Sequence, residues 1–148
     1  MTRVVASWFG TGLLLGRLRG SDVGSGTVGS LLALAMAWAL APIGWWAQAA
    51  AAGVVTGLAL WSARPYADDG DPGWVVVDEA AGMFVASIGL VGWPLAAAFV
   101  VFRVADATKR FPGVAAAERL PGALGITADD LVAGVWGLAA GWLLTWLL

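Results

Sequence analysis

Five carboxylates stand where charged segments of this sequence meet long apolar ones: Asp78 and Glu79, Asp106, and Asp129 and Asp130. Acids beside a bilayer are costly and more often functional than decorative. The 148 residues include no His and no Cys, which removes disulfides, thiolate nucleophiles, His-ligated zinc and any step that needs an imidazole base or phosphohistidine. An oxygen-only donor set of this kind suits a hard cation, Mg²⁺ or Ca²⁺. Arg103, Asp106 and Lys109 recur every three residues, so a helix carrying them presents all three on one broad face. The five acids together with Arg103 and Lys109 sum to a formal −3. A phosphorylated substrate is repelled by that charge unless cations intervene, and one or two Mg²⁺ would reverse it. A second element is the small-residue run Gly24-Ser-Gly-Thr-Val-Gly-Ser30, whose free N–H groups and Thr27 and Ser30 hydroxyls can hold a phosphate at a helix start. It lacks the Lys of a P-loop. Asp68, Asp69 and Asp71 read as a solvated turn.

These residues must be positioned by membrane helices. The sequence is 60% hydrophobic and only 12% charged, against about 25% charged in soluble domains. A net charge of −2 with no basic run leaves nothing to neutralise a nucleic-acid backbone. One domain is expected over residues 1–148. The first residues read as a short amphipathic or embedded helix, loosened by Gly10, Gly12 and Gly16, rather than a cleaved leader. The uncharged stretch 23–63 breaks at Pro42-Ile43-Gly44 and predicts two helices, near 27–41 and 44–63. The stretch 80–102 is either one span or a short hairpin broken at Val91-Gly92-Trp93-Pro94. A hairpin places all eight Lys and Arg on one side of the membrane, whereas a single span divides them evenly. The positive-inside rule therefore favours the hairpin, with its loops cytoplasmic. Its arms, about 18 and 15 Å at the helical rise, are too short to span and must be re-entrant or covered by protein. A last helix is expected at 130–148, opened by a capping box at Thr127-Ala-Asp-Asp130 that puts two acids at the positive end of its dipole. Among the Trp residues, Trp8, Trp45, Trp46, Trp61, Trp74, Trp93, Trp142 and Trp146 fall near span ends and read as belt anchors. The expected fold is thus all-α: a small polytopic membrane bundle with a short N-terminal helix, a helical hairpin, a re-entrant or short hairpin and a C-terminal transmembrane helix.

Four ordered segments carry a family resemblance. They are Phe9-Gly-Thr-Gly-Leu-Leu with Gly26-Thr-Val-Gly-Ser30; Asp71-Pro-Gly-Trp-Val-Val-Val-Asp-Glu-Ala-Ala-Gly82; Phe102-Arg-Val-Ala-Asp-Ala-Thr-Lys109; and Gly122-Ala-Leu-Gly-Ile-Thr-Ala-Asp-Asp-Leu-Val-Ala-Gly134. In this order and spacing the sequence resembles the phosphatidylglycerophosphatase A family of bacterial membrane enzymes. The resemblance implies Mg²⁺-dependent removal of the terminal phosphate from the phospholipid phosphatidylglycerophosphate, giving phosphatidylglycerol, on an all-helical fold in the bacterial inner membrane, with oligomers possible. Departures are Ser25 before Gly26 where Pro is usual, an insertion over Arg17 to Val23, Ala105 before Asp106, Arg110 after Lys109, and Ala123 and Thr127 in the last segment; none removes an acid or Lys109. The site is accordingly expected to use Asp78, Glu79, Asp106, Asp129 and Asp130 as metal ligands and catalytic carboxylates, one of which orients or deprotonates water, and Thr27, Ser30, Arg103 and Lys109 to grip phosphate. The competing expectation is a non-enzymatic membrane module, a small transporter or assembly subunit whose acids bind ions or cap helices. A carrier should hold a polar group near the midplane, and the spans carry no charge.

Overall fold

The chain, described by a computed structural model over residues 1–69 and 72–148, has no strand among those residues. Its helices are α1 (Thr2–Ala6), α2 (Thr11–Arg19), α3 (Ser25–Leu40), α4 (Trp45–Ser62), α5 (Val77–Ser87), α6 (Gly92–Thr108), α7 (Val114–Ala117) and α8 (Ala123–Leu147), with 3-10 turns at Ala41–Ile43 and Arg64–Asp69. Asp71, read above as part of a solvated turn, lies outside the described residues.

Two segments, Ser25–Ile43 and Ala123–Leu147, are long and apolar enough to cross a membrane. Around them the bundle turns large apolar side chains outward, among them Leu31, Trp38, Val54, Val100, Val135 and Leu143. An apolar exterior of this extent marks a surface made for lipid.

The interior is built from small residues. On α8, Gly134, Gly137 and Gly141 lie three and four residues apart on one stripe, and a Cβ on them would strike the Gly82 carbonyl of α5 and lie 2.6 and 2.9 Å from the Ala98 and Pro94 carbonyls of α6. Such backbone approach is the usual way for helices to gain contact area where lipid offers no hydrophobic driving force. It packs α8 against α5 and α6 more extensively than any other helices pair.

The stretch 80–102 forms the hairpin rather than one span. Its turn, Ile88–Val91, is half-buried at Ile88 and Gly89, buried at Leu90 and exposed at Val91, and at membrane depth its unpaired backbone groups are costly. Gln48 of α4 answers that cost: its Oε1 accepts from the Gly89 N–H at 2.8 Å, while its Nε2 donates to the carbonyls of Leu90 at 3.3 Å and Ala37 at 3.2 Å. The Trp142 indole donates to the Ile88 carbonyl at 3.2 Å.

Several expectations need correcting. The second hairpin arm is 17 residues, about 25 Å at the helical rise. Pro94 falls in its first turn, where no N–H donation is required, and the ion pairs of Arg103, Asp106 and Lys109 carry it past residue 102. The last helix begins at Ala123, not 130, so Asp129 and Asp130 lie in its second turn and are buried. They cap nothing, and Thr127 is an interior residue. Trp8 is no belt anchor: it is only 2% exposed and packs edge-on against Phe84, 6.2 Å between centroids. Trp74 is half-buried, edge-on to Tyr66 at 4.8 Å and under the Arg3 guanidinium. The N-terminal segment is two helices, because Trp8, Phe9 and Gly10 all take positive φ.

Replacing Gln48 by Leu strands two backbone groups in the turn and the Ala37 carbonyl of α3, each worth about 1–3 kcal/mol when buried unpaired. Thermal unfolding in detergent should show a clear loss of stability for Gln48→Leu, and an unchanged midpoint would contradict the role given to this side chain.

Candidate active site

The acids converge because four segments meet at one end of the bundle. The turn after α1 is closed by the Gly10 N–H donating to Ser7 Oγ at 3.1 Å and Thr11 Oγ1 donating to the Trp8 carbonyl at 2.8 Å. It supports the buried run Val75-Val76-Val77, since the Val76 N–H donates to the Ala6 carbonyl at 2.9 Å and a Cβ on Gly12 would strike the Trp74 carbonyl. The FGTG motif therefore builds the platform for α5. That run delivers Asp78 and Glu79 to the first turn of α5, at the positive end of its dipole.

Across from α5 lies α3. Gly29 faces Val76, and a Cβ on Gly26 would overlap Glu79 Oε1, lying 2.9 Å from Glu79 Cδ and 3.2 Å from Arg103 Nη2. The glycine run in the sequence is thus where the Glu79 carboxylate and the Arg103 guanidinium approach the α3 backbone. This role was not read from the sequence, although Gly26 lies within the quoted motif.

On α6 the spacing of three works as expected. Arg103 Nη1 donates to Asp106 Oδ2 at 2.6 Å, and Lys109 Nζ donates to Asp106 Oδ1 at 3.1 Å and to Asp129. Arg103 also reaches α3, Nη1 to Ser30 Oγ and Nη2 to Thr27 Oγ1, both 3.4 Å. Ser30 Oγ itself donates to the Gly26 carbonyl at 2.7 Å. Lys109 ends the helix in a left-handed conformation at φ 53°, so the chain turns without a following Pro. Burial alone would lower the Lys109 pKa; the hydrogen bond to Asp129 and the charges of Asp106, Asp130 and Asp129 outweigh it and raise it, keeping the ammonium charged.

Two acidic triads result, Asp78 with Glu79 and Asp130, and Asp106 with Asp129 and Asp130; within each, carboxylate oxygens lie within 4.8 Å of one another. Asp130 belongs to both. Its Oδ1 and that of Asp129 are buried without a hydrogen-bond partner among the described residues, as is the Thr127 hydroxyl one turn earlier. Buried carboxylate oxygens left in this way fit a cation, and oxygen-only donors fit a hard one. An open depression of about 270 Å³, lined by Ala67, Glu118, Gly122, Gly125 and Asp129 among others, meets this cluster at Asp129. All nine residues singled out from the sequence, Thr27, Ser30, Asp78, Glu79, Arg103, Asp106, Lys109, Asp129 and Asp130, thus meet in one linked cluster. What Thr27 and Ser30 touch in it is Arg103. Thr127, which has the sequence context of a cap, is a buried hydroxyl within α8.

The fold and cluster define a small helical membrane protein with an acidic, cation-ready site beside one Arg and one Lys. The sequence matches the phosphatidylglycerophosphatase A family over residues 4–145, and the chain belongs to that family. It is 33% identical over 139 residues to phosphatidylglycerophosphatase A of Escherichia coli K12, covering 89% of this chain and 76% of that protein. It is 31% identical over 146 residues to a candidate phosphatidylinositol-3-phosphatase of Bacteroides thetaiotaomicron, covering 90% and 86% of the two chains. No solved structure matches. Family membership places the chain among phospholipid phosphatases.

Gly26→Ala should leave the bundle folded but displace Glu79 and Arg103. Because misplacement by about 1 Å can cost 10² in rate, phosphatase turnover should fall by about that factor; wild-type turnover in Gly26→Ala would show that this approach is unimportant.

Proposed function

We propose that this protein removes the terminal phosphate of phosphatidylglycerophosphate, giving phosphatidylglycerol and inorganic phosphate, from the cytoplasmic face of the bacterial inner membrane. The observation that carries the reading is Asp130 shared between two acidic triads, with Arg103 and Lys109 alongside, in a chain of this family. The side assignment rests on the bases: α5 and α6 form a hairpin, so Arg103, Lys109 and the loop bases gather at one end and the positive-inside rule sets that end in the cytoplasm.

Asp78, Glu79, Asp106, Asp129 and Asp130 would hold Mg²⁺. The ion supplies neutralising charge and Lewis acidity toward phosphoryl oxygens. Arg103 offers a planar fork to two phosphate oxygens, and Lys109 a point charge; Thr27 and Ser30, which touch the guanidinium, aim it and stand within the same grip. Water attacks phosphorus as the bond to the glycerol oxygen breaks. One water proton passes to a carboxylate, since the chain offers no imidazole, and that carboxylate returns it, directly or through solvent, to the released glycerol oxygen. Asp129, on the wall of the open depression, is the carboxylate that water reaches first.

The Bacteroides relative brings a second substrate into view, a phosphate monoester on inositol. Both lipids present the same phosphomonoester to the same charges, so they differ only in the sugar or glycerol that the depression must accept.

Phosphate release by purified protein should proceed on phosphatidylglycerophosphate, stop with EDTA and return with Mg²⁺. Faster release from phosphatidylinositol 3-phosphate would transfer the assignment to that lipid, and release unaffected by EDTA would reject the metal. Asp130→Asn and Glu79→Gln should each lower the rate by about 10² or more, the range for losing an acid–base group. If Arg103 grips phosphate through its fork, Arg103→Lys lowers the rate without affecting membrane insertion, whereas a base that merely reaches for head groups tolerates the exchange. Reporter fusions after Ala67 and after Gly113 should both report the cytoplasm; opposite sides would dismantle the shared site.

A further inference from the structure

Three apolar cavities open on the outer surface of the described bundle, and one of them lies between the two helices that carry the phosphate grip. The largest, about 510 Å³, is lined by Ala139, Trp142, Leu143 and Trp146 near the C-terminal end of α8 and has no site side chain at its edge. A groove of about 300 Å³ lies between α3 and α6, where Leu31, Leu34, Ala35 and Trp38 face Leu95 and Ala96. A further hollow of about 320 Å³ shares Trp38 and continues past Pro42 and Val91.

The groove shares its two walls with the phosphate grip. Thr27, Leu31, Leu34 and Trp38 fall at intervals of 4, 7 and 11 residues from Thr27, which is one face of a helix. Arg103, Ala96 and Gly92 repeat 7 and 11 residues along α6 in the opposite chain direction. Arg103 bridges the walls at one end through Thr27 and Ser30. The groove begins at Leu31, about one turn below that bridge, and ends at Trp38, 11 residues below Thr27; bridge and groove together thus reach about 16 Å at the helical rise, close to half of the roughly 30 Å hydrocarbon core and so the depth of one leaflet. Its floor is kept low by small residues, Ala35, Gly92 and Ala96, where larger side chains would close it, and its open side faces the membrane.

We propose that the α3–α6 groove is the acyl-chain subsite for a glycerophospholipid whose phosphorylated head group is held at Arg103. The proposal rests on the phosphatase reading above and adds where the substrate lies: one tail occupies the groove while the head group bends toward the carboxylates. A lipid then enters sideways from its own leaflet, and its chain need never leave hydrocarbon. The tail contributes binding that is the same in ground and transition states, so it governs KM and leaves kcat alone.

Ala35→Trp and Ala96→Trp test this, since both positions point outward and are exposed and larger side chains there fill the groove without entering the core. With long-chain phosphatidylglycerophosphate in mixed micelles, each variant should raise KM by about tenfold or more, the equivalent of one or two methylenes' burial lost. With the deacylated, water-soluble glycerophosphoglycerophosphate, both should match the unmodified protein. Ala139→Trp, which fills the α8 cavity, should change neither. Unaltered lipid kinetics in both groove variants, or an equal fall on both substrates, would overturn the subsite. The groove can be judged apart from turnover with Asp130→Asn protein and a phosphatidylglycerophosphate bearing a photoactivatable acyl chain. Labelling should concentrate at residues 31–38 and 92–96 and be competed by unlabelled phosphatidylglycerophosphate but not by phosphatidylcholine. Labelling spread evenly round the bundle, or competed equally by both lipids, contradicts the groove even if the chain proves to be a phosphatase, whereas groove labelling without phosphate release from any lipid would contradict the phosphatase reading alone.

Discussion

Gathering carboxylates where water is scarce is the constraint on which the rest of this structure depends. Asp78, Asp106, Asp129 and Asp130 are all less than a tenth exposed, and like charges at such separations repel strongly in a low-dielectric surrounding. Arg103 and Lys109 offset part of that, each bonded to Asp106, with Lys109 bonded also to Asp129. Two bases do not balance five acids. Under the proposed function the remaining charge would recruit a divalent cation, and a bound cation would make a phosphorylated lipid welcome where the bare site would repel it.

Holding the acids so close requires helices closer together than side chains ordinarily allow. The glycines meet that requirement. Gly26 lets Glu79 against α3, Gly82 and Gly134 bring α5 and α8 to backbone contact, and Gly137 and Gly141 seat α8 on α6. Because lipid cannot drive these helices together by the hydrophobic effect, contact area and the polar ties of Gln48 and Trp142 at the hairpin turn do so instead. The same economy of side-chain volume leaves the α3–α6 groove open toward the membrane. Site, packing and tail groove thus follow from one choice of small residues along α3, α6 and α8.

Much of this was legible in the sequence because charge in a membrane protein is sparse. With so few acids at the mouths of apolar helices, their types and the asymmetry of the bases were enough to select the hairpin and the cluster, and Arg103, Asp106 and Lys109 met as their spacing required. What was not legible depends on contacts between distant segments. Thr127-Ala-Asp-Asp130 has the letters of a cap, but α8 begins at Ala123 and carries those residues into the interior; local pattern is a weak guide when tertiary packing decides where a helix starts. Trp8 looks like an interface anchor until Phe84 is seen beside it. Gly26 looks like part of a phosphate loop, and its reason lies in a carboxylate 53 residues later.

The proposed function requires the shared carboxylates to bind a divalent cation. Mn²⁺, which carries an electron-spin signal and accepts the same oxygen donors as Mg²⁺, measures this directly on the purified protein in detergent. The wild-type chain should capture Mn²⁺, release it to excess Mg²⁺, and lose that capture in Asp130→Asn, which weakens both triads at once. Equal Mn²⁺ capture by Asp130→Asn and wild-type protein, or none by either, would rule out a cation held at the shared carboxylates.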